Sequence, residues 1–204
     1  VVPASSLYRR IKTKEYSSQV ADELFIRNDF SDSIQRYIIE SELLSRKDYK
    51  YSDLGLYLMK DVIETVTGKT LEEYIKEEFY DPLDLPLIGF NPAQKKPKEN
   101  IVPTEEDEYF RKQVLKGYVH DMGAALLGGI SGHAGLFSNT KDLAVLMQML
   151  INQGFYGDRR YLDHKTIYTF TTRYHRSSRR GIGFDMKELD RKKHLNMAEE
   201  ASPS

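Results

Sequence analysis

Apolar positions in the first half of the chain recur at helical intervals. Ile34, Tyr37 and Ile38, continued by Ser41 and Leu44, fall on one face of a stretch that Ser31 is placed to cap. Leu54, Leu58, Val62, Ile63 and Val66 mark a second helix that stops at Gly68, with Ser52 or Asp53 at its N-terminus. Thr70-Leu71-Glu72-Glu73 has the form of a capping box, in which a threonine and a glutamate three residues on satisfy each other's backbone donors. A third helix is expected there, with Leu71, Tyr74, Ile75 and Phe79 inward and an end before Pro82. The strongest amphipathic pattern runs from Asp142 to Gln153, capped by Ser138 or Thr140 and ended by Gly154, and Asp163 caps a shorter helix through Thr171.

Between these helices the periodicity fades. The stretch 87–107 is rich in Pro, Lys and Glu and reads as a surface loop, while Tyr109 to Val119 alternates well enough for a strand. Gly117 is followed by glycines at 123, 128, 129, 132 and 135, so the backbone there must approach something closely. Residues 187–204 are poor in large apolar side chains and read as a mobile tail. The pattern predicts an α+β, mostly helical chain with one or two weak strands. Helices with a single apolar face need a partner, and a sheet from sequence outside the chain is the natural one.

Composition narrows the function classes. Thirty Lys and Arg against 31 Asp and Glu leave a net charge of -1, which gives no chain-wide attraction to nucleic acid or anionic lipid. The richest apolar runs, Leu54 to Met59 and Leu143 to Ile151, fall far short of the roughly 18 residues of a membrane span. With no cysteine there is neither a disulfide framework nor a thiolate nucleophile or ligand. The chain starts Val1-Val2-Pro3 and ends Ala201-Ser202-Pro203-Ser204, so both ends read as cut.

Tyr51-Ser52-Asp53 is the constellation best placed for chemistry, because three polar side chains project from a turn that enters a helix. A phenol with an ordinary pKa of about 10 becomes a base at neutral pH only where a cation stabilises its anion, and nothing local supplies that cation. The plain alternative is that Ser52 and Asp53 cap the helix and Tyr51 packs as an aromatic. Ser138-Asn139-Thr140-Lys141 imitates a Ser-x-x-Lys nucleophile motif, but Ser138 reads as a helix cap. His133-Ala134-Gly135 likewise precedes a capped helix instead of lying in a strand. His120, Asp121 and His133 match no tight metal-ligand spacing and read as structural or supporting residues, with no metal and no cofactor expected. The glycine-rich run also lacks the Gly-x-x-x-x-Gly-Lys pattern of a phosphate cradle.

Tyr51-Ser52-Asp53-Leu54-Gly55, Glu64-Thr65-Val66-Thr67-Gly68-Lys69-Thr70-Leu71, Phe79-Tyr80-Asp81-Pro82-Leu83 and Gly132-His133-Ala134-Gly135-Leu136-Phe137-Ser138 together resemble the serine β-lactamase and penicillin-binding-protein family, which includes class C β-lactamases and D,D-peptidases. Gly117-Tyr118-Val119-His120-Asp121 and Arg179-Arg180-Gly181-Ile182-Gly183-Phe184-Asp185-Met186 resemble, more narrowly, the β-lactamase-type domain fused to bacterial family 3 glycoside hydrolases. The resemblance implies that residues 1–204 are a partial domain of the β-lactamase/D,D-peptidase fold, lacking the nucleophile segment and the late sheet strands. It implies a serine hydrolase of the cell envelope or periplasm, acting through an acyl-enzyme on a β-lactam, a peptidyl-D-alanine or a related small amide or ester. By resemblance Tyr51 moves the proton of the nucleophilic serine, with Ser52 supporting, and Asp53 stands where many relatives carry Asn. An ionised carboxylate only accepts hydrogen bonds, so this departure changes what that position offers a substrate. A non-catalytic domain that recognises cell-wall peptides or packs on a fused glycosidase is the competing expectation. Self-association of the chain through its apolar helix faces is the remaining partner expectation.

Overall fold

The computed structural model describes residues 4–45, 50–175 and 178–186. They fall into two compact units, one of residues 1–43 with 52–143 and one of 44–51 with 144–204. The 187–204 tail lies outside the described residues.

The first unit opens with a three-stranded antiparallel sheet of β1 (Tyr8–Arg9), β2 (Tyr16–Ala21) and β3 (Leu24–Arg27), in the order β1-β3-β2. Val20, Ala21, Leu24 and Ile26 from this sheet join Phe110, Leu115, Tyr118, Val119, Ala124 and Ala125 in the core. Strands are therefore more numerous than the one or two expected. Helix α1 (Phe30–Ile39) follows, preceded by Asp29 with no side-chain cap, so Ser31 lies inside the helix and does not cap it. Helix α2 (Leu54–Thr67) ends at Gly68, whose left-handed φ of 68° lets its N–H close on the Glu64 carbonyl. The capping box forms as expected: Thr70 accepts from the Glu73 N–H, and Glu73 reaches back to the Thr70 backbone. The resulting α3 (Leu71–Ile75) passes into a π-turn over Lys76–Tyr80 before Pro82.

The stretch 87–107, expected as a surface loop, carries β4 (Gly89–Phe90), two short 3-10 turns and β5 (Pro103–Asp107), and it buries Ile88, Phe90 and Asp107. β5 pairs with β6 (Gln113–Lys116), which gives the strand expected after Tyr109 a hairpin partner. Helix α4 (Met122–Leu126) is capped by Asp121, and β7 (Leu136–Phe137) pairs with β4. Helix α5 (Thr140–Ile151) corrects a second cap assignment. The Asp142 N–H is taken by Asn139 Oδ1 at 2.8 Å, while the Ser138 hydroxyl donates to the Asn139 carbonyl.

In the second unit α5 ends ahead of Gly154, and a tight hairpin pairs β8 (Phe155–Tyr156) with β9 (Arg159–Arg160). Helix α6 (His164–Thr171) is capped by Asp163 as expected, the carboxylate accepting from the Lys165 N–H. Residues 178–186 return along the end of α6. The Ile182 N–H donates to the Phe170 carbonyl at 2.9 Å, and Arg180 and Asp185 form a β-bridge.

Candidate functional site

Asp53 is the residue immediately before α2, and its φ and ψ are already helical, so its side chain does not cap the helix. The Ser52 hydroxyl takes that part, accepting from the Leu54 N–H at 3.3 Å. Asp53 Oδ1 is left buried without a hydrogen-bond partner among the described residues. A buried acceptor without a donor costs about 1–3 kcal/mol, more for an ionised group. One turn along, Tyr57 sits between the charges of Asp121 and Asp53. Burial foremost, and then those two carboxylates, hold its phenol above the ordinary range.

Tyr57 leads into a network that the sequence only partly announces. Its ring lies 4.6 Å from that of His133. His133 Nε2 is 3.0 Å from Asp121 Oδ1, and His133 Nδ1 is 2.8 Å from the Ser131 hydroxyl. Asp121 also accepts the Ala124 N–H at 2.7 Å. Burial pushes the Asp121 carboxyl up, but the Ala124 N–H and His133 outweigh it and leave it below the usual carboxylate range. Asp121 and His133 are thus brought together. His120 points elsewhere, its ring nitrogen 3.0 Å from Glu105 on β5. Ser131, His133 and Asp121 have the residue types of a hydrolytic triad, yet Ser131 is buried and Gly132 is pressed on the Leu56 carbonyl, so no substrate reaches that hydroxyl. The network instead ties α4 and the glycine-rich run to the helix that starts at Leu54.

The glycine spacing finds its reason here. A Cβ on Gly132 would stand 2.3 Å from the Leu56 carbonyl oxygen, and one on Gly123 would stand 2.0 Å from the Tyr57 hydroxyl. What the backbone approaches is the first turn and a half of α2. Ser138 precedes the Asn139 cap and is off the helix that carries Lys141, so these two do not form a nucleophile pair one helical turn apart.

In the second unit, Tyr51 carries the cation that the sequence did not reveal. The Arg180 guanidinium lies over its ring, 4.8 Å from the centroid. Arg180 is 129 positions further along the chain, and only three-dimensional structure brings the two together.

The profile of the family described as Beta-lactamase matches residues 5–187. The chain belongs to the Beta-lactamase family. It is 41% identical over 147 residues to an Escherichia coli K12 protein provisionally named a D-alanyl-D-alanine carboxypeptidase, an alignment covering 66% of this chain and 34% of that protein. It is 40% identical over 134 residues to the Bacillus subtilis 168 protein named N-acetylmuramyl-L-alanine amidase, covering 59% of this chain and 30% of that one. The chain therefore spans about a third of the length of these relatives. A Bacteroides dorei crystal structure provisionally titled a beta-lactamase superposes with a TM-score of 0.51 at 17% identity, covering 75% of this chain and 43% of that one, and bears out the Beta-lactamase fold. Among the described residues no helix is long and apolar enough to cross a membrane.

Proposed function

We propose that the intact protein is a serine hydrolase of the cell envelope that acylates its nucleophile with a peptidyl-D-alanine, a β-lactam or a related amide or ester, and that Tyr51 and Asp53 serve that step. The observation that carries this reading is the orphaned, buried Oδ1 of Asp53 at the entrance of α2. A buried carboxylate oxygen is retained without a donor at a cost, and a lysine beside the nucleophile or a substrate N–H supplies what it lacks. Tyr51 moves the proton to and from the serine, within the hydrogen-bond reach that general base catalysis needs. Ser52 supports both by fixing the turn. Asp121 and His133 hold α2 in place, and His120 stays outside the chemistry.

The relatives' names, a provisionally named D-alanyl-D-alanine carboxypeptidase and an N-acetylmuramyl-L-alanine amidase, support a cell-wall substrate class and an envelope location. Fusion to a family 3 glycosidase belongs to the same proposal and rests on the 117–121 and 179–186 segments. The second reading, a non-catalytic peptide-recognition domain, is favoured by Asp53 itself, since an acceptor-only group binds a substrate N–H without needing to donate.

Acylation of the full-length protein separates the two. Tyr51→Phe keeps the ring and removes the titratable oxygen, so the acylation rate with a fluorescent penicillin is expected to fall about 100-fold or more while folding is unchanged. A full-length protein that never becomes labelled establishes the recognition reading. An unchanged rate in Tyr51→Phe reduces Tyr51 to packing.

A further inference from the structure

We propose that Arg180 is a positioning residue for Tyr51, holding its ring by stacking on the face and stabilising the phenolate that proton transfer requires. The inference rests on the reading of Tyr51 as the proton carrier, but its physical core, the effect of Arg180 on the Tyr51 phenol, stands apart from it.

The contact is a guanidinium carbon 4.8 Å from the ring centroid, within the range where a cation is attracted by the negative face of an aromatic ring. Ionisation of the phenol adds a full negative charge that spreads into the same ring, so the attraction grows when the proton leaves. The cation therefore favours the anion, as any close opposite charge does. The backbone around Arg180 is fixed on both sides. Arg180 bridges to Asp185, the next residue, Gly181, is pressed on the Phe170 carbonyl, and Ile182 donates to that same carbonyl.

Asp185 receives Arg179 in a two-pronged contact, at 2.5 and 2.8 Å, and meets Arg180 more loosely at 3.5 Å. Two guanidiniums share one carboxylate. Arg179 takes the closer geometry, and Arg180 keeps the looser contact with Asp185 and lies over the Tyr51 ring. Arg179 and then Arg180 hold the Asp185 carboxyl below its ordinary range, so it stays ionised at neutral pH and this division persists.

The test is a pH titration of the Tyr51 phenol in the 204-residue chain, labelled with carbon-13 at tyrosine Cζ, the Tyr51 signal being identified by its loss in Tyr51→Phe. Removing the charge by Arg180→Met is expected to raise the Tyr51 midpoint by roughly half a unit to one unit, about a three- to tenfold drop in the ionised fraction below the midpoint. Arg180→Lys keeps the charge without the planar fork and is expected to fall between the two. If Arg180→Met loses the fold, Arg180→Gln, with a planar but uncharged amide, makes the same comparison. A midpoint that does not move in a folded, uncharged variant overturns the proposal. In the full-length protein the acid limb of the acylation profile is expected to move upward by the same amount in Arg180→Met. A titration that shifts while Tyr51→Phe still acylates normally keeps the Arg180 contact and refutes the catalytic role of Tyr51, so the two ideas fail separately.

Discussion

Arg111 is the most instructive single residue. Its side chain is fully buried on the turn between β5 and β6, where it donates to Asp107 at 2.5 Å and to the Val119 and His120 carbonyls at 2.6 Å each. Asp107 accepts the Tyr109, Phe110 and Arg111 N–H groups as well. One ion pair thus closes the hairpin turn and fixes the backbone just ahead of Asp121. Burial alone pushes the Asp107 carboxyl up, but Arg111 and the three N–H groups outweigh it and hold the pKa at about 2. The folded value lies below the unfolded one, so the stabilisation is present above the ordinary carboxylate range and is lost as pH falls through about 2. The difference corresponds to about 2 kcal/mol at neutral pH. Denaturant unfolding of the wild type is expected to lose about that much between pH 5 and pH 2, and Asp107→Asn is expected to flatten that part of the curve. Arg111→Met removes the cation and leaves a buried carboxylate, and is expected to cost about 3–5 kcal/mol. A loss under about 1 kcal/mol in urea would show that the pair is not needed for the hairpin.

At the scale of elements, α2 is held by what the glycine-rich run presses on it. Gly132→Ala sets a methyl group against the Leu56 carbonyl, which is backbone and cannot swing aside. Overpacking of this kind costs about 1–3 kcal/mol, and the displaced element is α2, which begins just after Asp53. Gly132→Ala is expected to lower the melting temperature and, in the full-length protein, to slow acylation. Gly68→Ala, at the other end of α2, meets only its unfavourable φ and is expected to affect stability without acylation. Equal effects of the two on acylation, at equal stability, argue against the clamp.

Local signals made much of this legible in the sequence. Thr70 with Glu73, Gly68 and Asp163 act on neighbours within a few residues, and each is found doing what its spacing predicts. The glycine cluster announced a close approach but not its partner, because Leu56 lies far away along the chain. The first sheet was missed because β2 slips register twice against β3, between Tyr16 and Ser18 and between Gln19 and Ala21, which breaks the alternation that marks a strand. Ser138, Asn139 and Thr140 are all good capping types in adjacent positions, so the pattern that points to Ser138 or Thr140 does not single out Asn139, the residue that accepts the Asp142 N–H. The Arg180 contact with Tyr51 had no sequence signal, because it joins segments far apart along the chain.

At the scale of the molecule, the apolar stripe on α2 is unusually open. Met59, Val62 and Val66 are 50%, 51% and 79% exposed, and Leu54 at the start of the helix is exposed too. Contiguous exposed apolar surface of this kind drives association in water. Light scattering on the 204-residue chain is expected to show concentration-dependent association, weakened when Val62 and Val66 are both replaced by Glu. A strictly monomeric wild type removes the stripe as a contact surface.

The stripe and the candidate site make one further prediction about the chain by itself. The one serine in this sequence followed three positions on by a lysine, Ser138 with Lys141, is divided by the Asn139 cap that begins α5. Ser131, the serine bound to a histidine, is buried behind Gly132. Neither offers an exposed hydroxyl beside a base among the described residues. The 204-residue chain is therefore expected neither to hydrolyse a chromogenic cephalosporin nor to be labelled covalently by a fluorescent penicillin, even when circular dichroism shows it folded. Mass spectrometry of the treated chain reads the outcome directly. A stable adduct on Ser138 or Ser131 would mean that the acyl-enzyme chemistry proposed for the intact protein is already complete within these residues and does not pass through Tyr51.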